Sequence, residues 1–326
     1  MFGVNRRAVA CVALAWLLAG CSSPASPAGS QAPVFSDPAS LAAVDLAGGG
    51  RLRVVATTSI VADVVAHVGG QAIEVSALIP PGVDPHAFEP TPQDLGRVAE
   101  AHLIFVNGFG LEAFLETMLI NAGGQAPVVS VSEGIPPRTL AEGEGAHDGA
   151  EVDPHTWLDP NNVLIWVDNI QTALTAVDPA DASAFAQRAD AYRAELRLLD
   201  DEIRQQVDTL PAADRLLVTD HAMFGYFADR YGFQVIGALL PGFSTAAESS
   251  AQQLAALEQA IAQLGVRAVF VSAQIAPDLA QRLAEDTGVR VVMLPAHALT
   301  GPDGPAPDYL SLMRYTVAAI VDALRR

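Results

Sequence analysis

Three of the seven histidines stand in sequence contexts that suggest a shared chemical role. The tetrapeptide Val-Asp-Pro-His occurs twice, ending at His86 and at His155. Proline fixes its own backbone angle and favours an extended preceding residue, so each copy is expected to present an imidazole from a stiff turn. A third, His221, follows a predicted strand that ends near Thr219, and ligands of open α/β sheets bind at that edge. This recurrence favours one common site over three separate packing roles.

The chemistry expected of such a site is metal binding. Imidazole nitrogen suits zinc, and three such ligands with one carboxylate complete a tetrahedral shell. We therefore expect His86, His155 and His221 to hold zinc together. Because protons compete with a metal for imidazole, the unperturbed histidine pKa predicts that affinity falls below about pH 6.5.

Other residues near these histidines are expected to support the site or the fold. Asp84, Asp153 and Asp220 lie close enough in sequence to orient an imidazole by a hydrogen bond. Turn formation explains the two Asp-Pro pairs equally well. His67, within a helical pattern, and His102, which precedes a strand, are interpreted as structural.

Short apolar runs rich in β-branched residues alternate with longer amphipathic stretches along most of the chain. The predicted strands are residues 52–56, 73–78, 103–106, 128–131, 216–219, 235–239, 268–272 and 289–294. Helical patterns follow them, for example over 60–68 and 111–120. Strand and helix in alternation predict the α/β class, with two parallel-sheet lobes of similar topology and the metal site between them.

A single long helix is predicted between the two lobes. From Phe185 to Leu210, apolar residues recur every three or four positions, and Pro179 and Pro211 mark the two ends. About thirty residues at 1.5 Å each would extend roughly 45 Å as a rigid strut. A coiled-coil dimer seam is the alternative, but the pattern is short and lies between globular lobes, so we expect a monomer.

The first fifty residues have the pattern of an export signal and a tether. Arg6 and Arg7 precede an apolar run over 8–19, which ends in Leu-Ala-Gly before Cys21, as at a bacterial lipidation site. A Ser-, Pro- and Gly-rich stretch follows. The predicted divisions are a signal peptide (1–20), a lipidated tether (21–50), a first lobe (51–177), a linking helix (178–211) and a second lobe (212–326).

Charge excludes some classes of partner. The 326 residues include 37 acidic and 18 basic side chains, a formal charge of −19, and every basic residue is arginine. Nucleic acid is therefore not an expected ligand, because phosphate backbones are bound by basic patches. A secreted zinc hydrolase is also disfavoured, since the chain contains no His-Glu-x-x-His motif.

With these motifs, the chain resembles the metal-specific substrate-binding lipoproteins of ABC importers for zinc and manganese, the cluster A-I or cluster 9 family. The segments that carry the resemblance are residues 84–94, 153–160, 221–232 and 309–315. The resemblance implies metal ligands at the positions of His86, His155 and His221. It also implies two lobes bridged by one long helix, and the chain departs from the family pattern at Ser272, where an acidic residue is usual.

The resemblance further implies a fourth, acidic ligand just before the last helix. Aligning that helix places Pro307 where the family has Asp, so Asp308 is the preferred fourth ligand. Asp303, an open or water-filled position, and His297 after the last strand are the alternatives. In this family, histidine at the third ligand position is typical of the zinc type and glutamate of the manganese type. With His221 at that position, the chain resembles the zinc type.

The expected function is zinc capture outside the cytoplasmic membrane, with lipid attachment at Cys21, and delivery to an ABC permease rather than catalysis. A manganese-specific lipoprotein and a zinc-containing surface adhesin are the alternatives. Segment 141–150 carries one histidine among several acids and resembles a weak version of the family's metal-gathering loop. A merely solvated acidic loop explains it equally well.

Overall fold

The computed structural model describes residues 35–46, 50–112, 114–122, 125–140, 152–272 and 277–325. The predicted signal, Cys21 and the acidic segment 141–150 lie outside the described residues. The tether is described only over 35–46 and at residue 50. The divisions assigned to these segments therefore stay predictions.

The first sheet contains four parallel strands in the order β2-β1-β3-β4. The strands are β1 (Leu52–Ala56), β2 (Ile73–Ala77), β3 (Leu103–Val106) and β4 (Val128–Ser130). Four helices follow or cover them: α1 (Ser59–Gly69), α2 (Pro92–Glu100), α3 (Leu115–Ala122) and α4 (Pro160–Val177). Strands β1 and β3 are almost wholly buried, as expected of a parallel sheet covered on both faces.

The second sheet repeats this topology, with the order β6-β5-β7-β8. Its strands are β5 (Leu216–Thr219), β6 (Gln234–Ala238), β7 (Ala268–Ser272) and β8 (Arg290–Leu294). The helices of this half are α6 (Gly225–Tyr231), α7 (Ala251–Leu264), α8 (Pro277–Thr287) and α9 (Tyr309–Leu324). The predicted α/β class with two parallel-sheet lobes is confirmed.

The predicted long helix is α5 (Ala182–Val207), a helix of 26 residues between the two lobes. It is a few residues shorter than its apolar pattern, because Leu210 is buried beyond the helix end. The predicted apolar face is buried and packs against α1, α4 and α9. Helix α5 is therefore part of a core that both lobes share.

The structure shifts the predicted start of one helix and shows whether any described helix could span a membrane. Helix α3 begins at Leu115 rather than 111, since Glu112 turns back and accepts hydrogen bonds from the backbone N–H groups of Asn107 and Gly108. Over the described residues, no helix is both long enough and apolar enough to span a bilayer.

Candidate metal centre

Four histidine side chains converge where the two lobes meet. The Nε2 atom of His155 lies 3.2 Å from that of His86 and 3.2 Å from that of His221. The Nε2 atom of His297 lies 3.2 Å from that of His221. Three of the rings are buried, and His86 is partly buried. Among the described residues, this is the one cluster of histidine, cysteine or carboxylate groups with metal-site spacing.

The repeated Asp-Pro-His turns place the two histidines of the first lobe. In each turn the aspartate Oδ1 accepts a hydrogen bond from the histidine backbone N–H, at 2.9 Å for Asp84 with His86 and 2.9 Å for Asp153 with His155. Asn107 donates a bond of 2.8 Å to the carbonyl of Pro154, which fixes the second turn against the first sheet.

The two histidines of the second lobe follow the ends of parallel strands. His221 comes two residues after β5, and His297 comes three residues after β8. The loop of His297 is fixed to the first lobe, because Trp157 Nε1–H donates to the carbonyl of Ala296 at 2.9 Å. Gly82 N–H also donates to the carbonyl of Leu299 at 2.8 Å. These contacts bring imidazoles from both lobes to one point.

Hydrogen bonds at Nδ1 set the protonation of three of the rings. A carboxylate oxygen can only accept, so Asp153 and Asp220, each 2.8 Å from an Nδ1, require an N–H at His155 and His221. His297 Nδ1 lies 2.6 Å from the hydroxyl of Ser272. With Nδ1 protonated, a neutral imidazole carries its lone pair on Nε2. These lone pairs face one another.

The environment favours the neutral form of the His86, His155 and His297 imidazoles. Burial, followed by repulsion from neighbouring imidazoles, lowers the pKa of His86 to about 2 and that of His297 to about 4. The same causes hold the pKa of His155 well below its usual value. Burial raises the pKa of Asp220, but hydrogen bonding and attraction from His221 outweigh it and keep the pKa low. Neutral imidazoles beside an ionised carboxylate are the state that a cation requires.

The fourth member of the cluster is His297, not the predicted Asp308. Asp308 is the N-cap of α9, where its carboxylate accepts hydrogen bonds from Ser311 N–H at 2.7 Å and Ser311 Oγ–H at 2.8 Å. An N-cap aspartate satisfies otherwise unpaired amides at a helix start, and this explains the residue fully. Asp303 is exposed and lies outside the cluster.

The signal that identifies His297 was present in the sequence. Like His221, it follows a buried strand at the carboxyl edge of a parallel sheet, where binding residues collect. The structure also places the two remaining histidines of the folded part away from the cluster. His67 stacks on Tyr192 with ring centroids 4.3 Å apart, and His102 Nδ1 accepts from Arg53 N–H at 3.0 Å.

A cleft of about 510 Å³ opens beside the cluster. Its lining residues are His86, Phe109, Gly110, Leu111, Val152, Pro154, Phe243 and Ser244. His86 is the one member of the four-histidine cluster in this lining. Phe109 has a left-handed backbone with a φ of 53°, a conformation that costs a non-glycine residue on the order of 1 kcal/mol. Because His86 lines the cleft, the cleft is the open side of the cluster.

Two similar parallel-sheet lobes that enclose a cluster of imidazoles define a metal-binding α/β protein. Residues 54–323 match the ZnuA family, described as zinc-uptake complex component A, periplasmic. The match covers most of the chain, and the protein belongs to this family. Members are metal-binding components of ABC metal uptake, which is not a class of enzymes.

Individual relatives are named for different metals. The chain is 31% identical to iron-binding protein YfeA of Yersinia pestis over 271 residues, which are 83% of this chain and 85% of that one. It is 31% identical to the manganese ABC transporter substrate-binding lipoprotein PsaA of Streptococcus anginosus over 291 residues, covering 86% and 92%. The solved periplasmic zinc binding protein TroA from Treponema pallidum superposes with a TM-score of 0.77 at 32% identity, covering 85% and 100%.

Proposed function

We propose that this protein captures Zn²⁺ outside the cytoplasmic membrane and delivers it to an ABC permease. One observation carries the proposal: four imidazole Nε2 atoms converge, with successive neighbours 3.2 Å apart. Zinc bound to histidine at about 2.0–2.1 Å in a tetrahedron separates its ligands by about 3.3–3.4 Å. Three of the six distances between these nitrogens match a tetrahedral zinc ion, and all four ligand atoms lie within 4.8 Å of one another.

The donor set favours zinc over manganese. Manganese is better matched by carboxylates, carbonyls and water, whereas imidazole suits zinc. The described residues contribute four nitrogens and no carboxylate to the cluster. The name of PsaA supports manganese as the second candidate, and the name of TroA supports zinc. The nitrogen donors are the reason for our choice.

The same shell favours carriage over catalysis. Four protein ligands complete a tetrahedral coordination sphere, so no position is left for a metal-bound water. The negative charge of the chain, −19 overall, attracts a cation to the site and raises the rate of capture.

We place the route of zinc binding and release at His86. The rings of His155, His221 and His297 each have a hydrogen-bond partner at Nδ1, whereas within the described residues no such bond holds the Nδ1 of His86. His86 also lines the cleft. The least constrained ligand therefore lies on the open side, where a small rotation of one ring would open the shell.

We also propose the cellular context that the first segment predicts. Residues 1–20 act as a signal peptide, Cys21 carries lipid, and 21–50 form a tether on the outer face of the membrane. The folded body then comprises lobes over 51–177 and 212–326 with a linking segment over 178–211, and acts as a monomer. The names of relatives such as PsaA, a lipoprotein, support this arrangement.

Uptake measurements test the proposed function. Cells lacking the gene are complemented with wild-type protein, His155→Ala or, as the control, His67→Gln, whose ring lies outside the cluster. We expect radioactive zinc uptake at limiting concentration with wild type and His67→Gln but not with His155→Ala. Restoration of manganese uptake without zinc uptake would contradict the proposal.

A further inference from the structure

Ser272 hydrogen-bonds to two groups, Asp220 and His297, that share no direct hydrogen bond within the described residues. Asp220 follows β5, Ser272 ends β7, and His297 follows β8, and these three strands are neighbours in the second sheet. Adjacent strands lie about 4.8 Å apart, so the strands that precede Asp220 and His297 are two strand spacings apart. Ser272, on the intervening strand, lies 2.6 Å from Asp220 Oδ2 and 2.6 Å from His297 Nδ1.

The direction of the two hydrogen bonds follows from the groups involved. Asp220 Oδ2 accepts from both the backbone N–H and the hydroxyl of Ser272, each at 2.6 Å, since a carboxylate has no proton to donate. The hydroxyl proton of Ser272 is thereby committed to Asp220. The Ser272 oxygen retains its lone pairs and accepts the Nδ1–H of His297.

This arrangement determines which nitrogen of His297 carries the proton, and therefore whether the Nε2 that faces the other imidazoles has a free lone pair. A neutral imidazole has one N–H and one lone pair, and the partner at one nitrogen selects the tautomer. With its proton held at Nδ1, His297 directs the Nε2 lone pair toward His221, 3.2 Å away. Asp220 Oδ1 does the same for His221 directly, so one carboxylate fixes both rings.

We propose that Ser272 is a positioning residue that makes His297 a metal ligand. Its hydroxyl donates to Asp220, so its oxygen can only accept from His297, which holds the proton of that ring at Nδ1. This inference rests on the proposed function and extends it to the residue that sets the fourth nitrogen donor. It assigns specificity for a four-nitrogen site to the pair Ser272 and His297, rather than to His297 alone.

A double-mutant cycle tests the proposal. Full-length protein, purified in detergent and freed of metal, is titrated with zinc against a competing chelator. We expect Ser272→Ala to weaken zinc binding about 10–100-fold, as is typical for the loss of a partner that orients a ligand. In a His297→Ala background, the same change is expected to alter affinity less than about 2-fold. Ser130→Ala, which removes the hydroxyl of a buried serine at the end of β4, is the matched control and is expected to leave affinity unchanged.

A tautomer measurement on the metal-free protein separates this inference from the choice of metal. Nitrogen-15 NMR of the histidine side chains is expected to show His297 protonated at Nδ1 in wild type and as a mixture of tautomers in Ser272→Ala. Ser272→Thr keeps the hydroxyl and is expected to restore the Nδ1–H form. Thermal unfolding checks that each variant is folded.

Two results would overturn the inference. An unchanged His297 tautomer in folded Ser272→Ala would show that the hydroxyl does not set it. An equal loss of zinc affinity with and without His297 would mean that Ser272 acts through Asp220 on His221 instead. Preference of the wild type for manganese would contradict the proposed function while leaving the tautomer result intact.

Discussion

The imidazoles of His221 and His297 are stacked, with ring centroids 4.7 Å apart and planes inclined by 18°, and their Nε2 atoms are 3.2 Å apart. The Nδ1 partners of both rings leave an Nε2 lone pair at that short distance. Two facing lone pairs repel each other unless a cation lies between them. The stability of this arrangement is therefore coupled to metal binding.

Alanine variants of His297 and Asp308 distinguish the fourth metal ligand from the helix cap. His297→Ala is expected to weaken zinc binding more than about 100-fold, because even the loss of a partner that orients a ligand costs about 10–100-fold. Asp308→Ala is expected to leave zinc affinity unchanged and to lower the free energy of unfolding by about 0.5–2 kcal/mol, since it removes the N-cap of α9. Zinc titration and denaturant unfolding measure the two effects. Loss of zinc binding in Asp308→Ala would restore the original assignment.

Acid is expected to destabilise the metal-free protein. The pKa values of His86 and His297 are about 2 and about 4 in the folded state, below the value near 6.5 of an unfolded chain. Above pH 6.5 both states are neutral, and the two groups do not alter stability. Between pH 6.5 and 4 the unfolded chain binds protons that the folded chain does not. For each of the two histidines, the free energy of unfolding therefore falls by about 1.4 kcal/mol for every pH unit of acidification.

At pH 5 these two histidines together are expected to lower the free energy of unfolding by roughly 4 kcal/mol relative to pH 7. Denaturant unfolding of metal-free protein at pH 7 and pH 5 measures this, and the His86→Ala, His297→Ala double variant should lose much less stability. His67→Gln, outside the cluster, is the control. The low pKa values also revise the expected acid limit of zinc binding: His86 and His297 stay neutral in the folded protein below pH 6.5, so protons are expected to compete with zinc at these two ligands only nearer pH 4. A steep loss of affinity between pH 7 and 6 would contradict this.

Lipid attachment at Cys21 is a separate prediction. Labelling cells with radioactive palmitate is expected to label wild-type protein and not Cys21→Ala. The variant is expected to leave the membrane fraction while its purified folded body binds zinc as wild type does, because the four clustered histidines all belong to that body. Labelled Cys21→Ala protein would place the lipid elsewhere.

The architecture and three of the four clustered histidines were predictable because their signals are local. Alternation of strand and helix patterns predicted both sheets, and the repeated Asp-Pro-His turns marked His86 and His155. The fourth, His297, was only an alternative to Asp308 in the sequence analysis, because its position also depends on contacts distant in sequence: Trp157 donates to the carbonyl of Ala296, 139 residues away. The acid before α9 was chosen instead, although an aspartate at a helix start is explained by capping alone.

The proposed role of Ser272 could not be predicted from the sequence, which marks this residue only as a departure from the family pattern. Nothing local relates a serine at the end of β7 to an aspartate 52 residues earlier and a histidine 25 residues later. Only the strand order β5-β7-β8 brings them together. Local patterns thus predicted the elements, whereas the order of strands in the sheet determined the hydrogen bonds around the site.

Metal competition in purified protein measures directly which ion the four imidazoles select. Metal-free wild type is incubated with one equivalent of zinc and a tenfold excess of manganese, desalted, and analysed for bound metal by mass spectrometry. We expect one zinc per chain and negligible manganese, with zinc lost in His155→Ala and retained in His67→Gln. Manganese retained in preference to zinc, or zinc retained fully by His155→Ala, would contradict it.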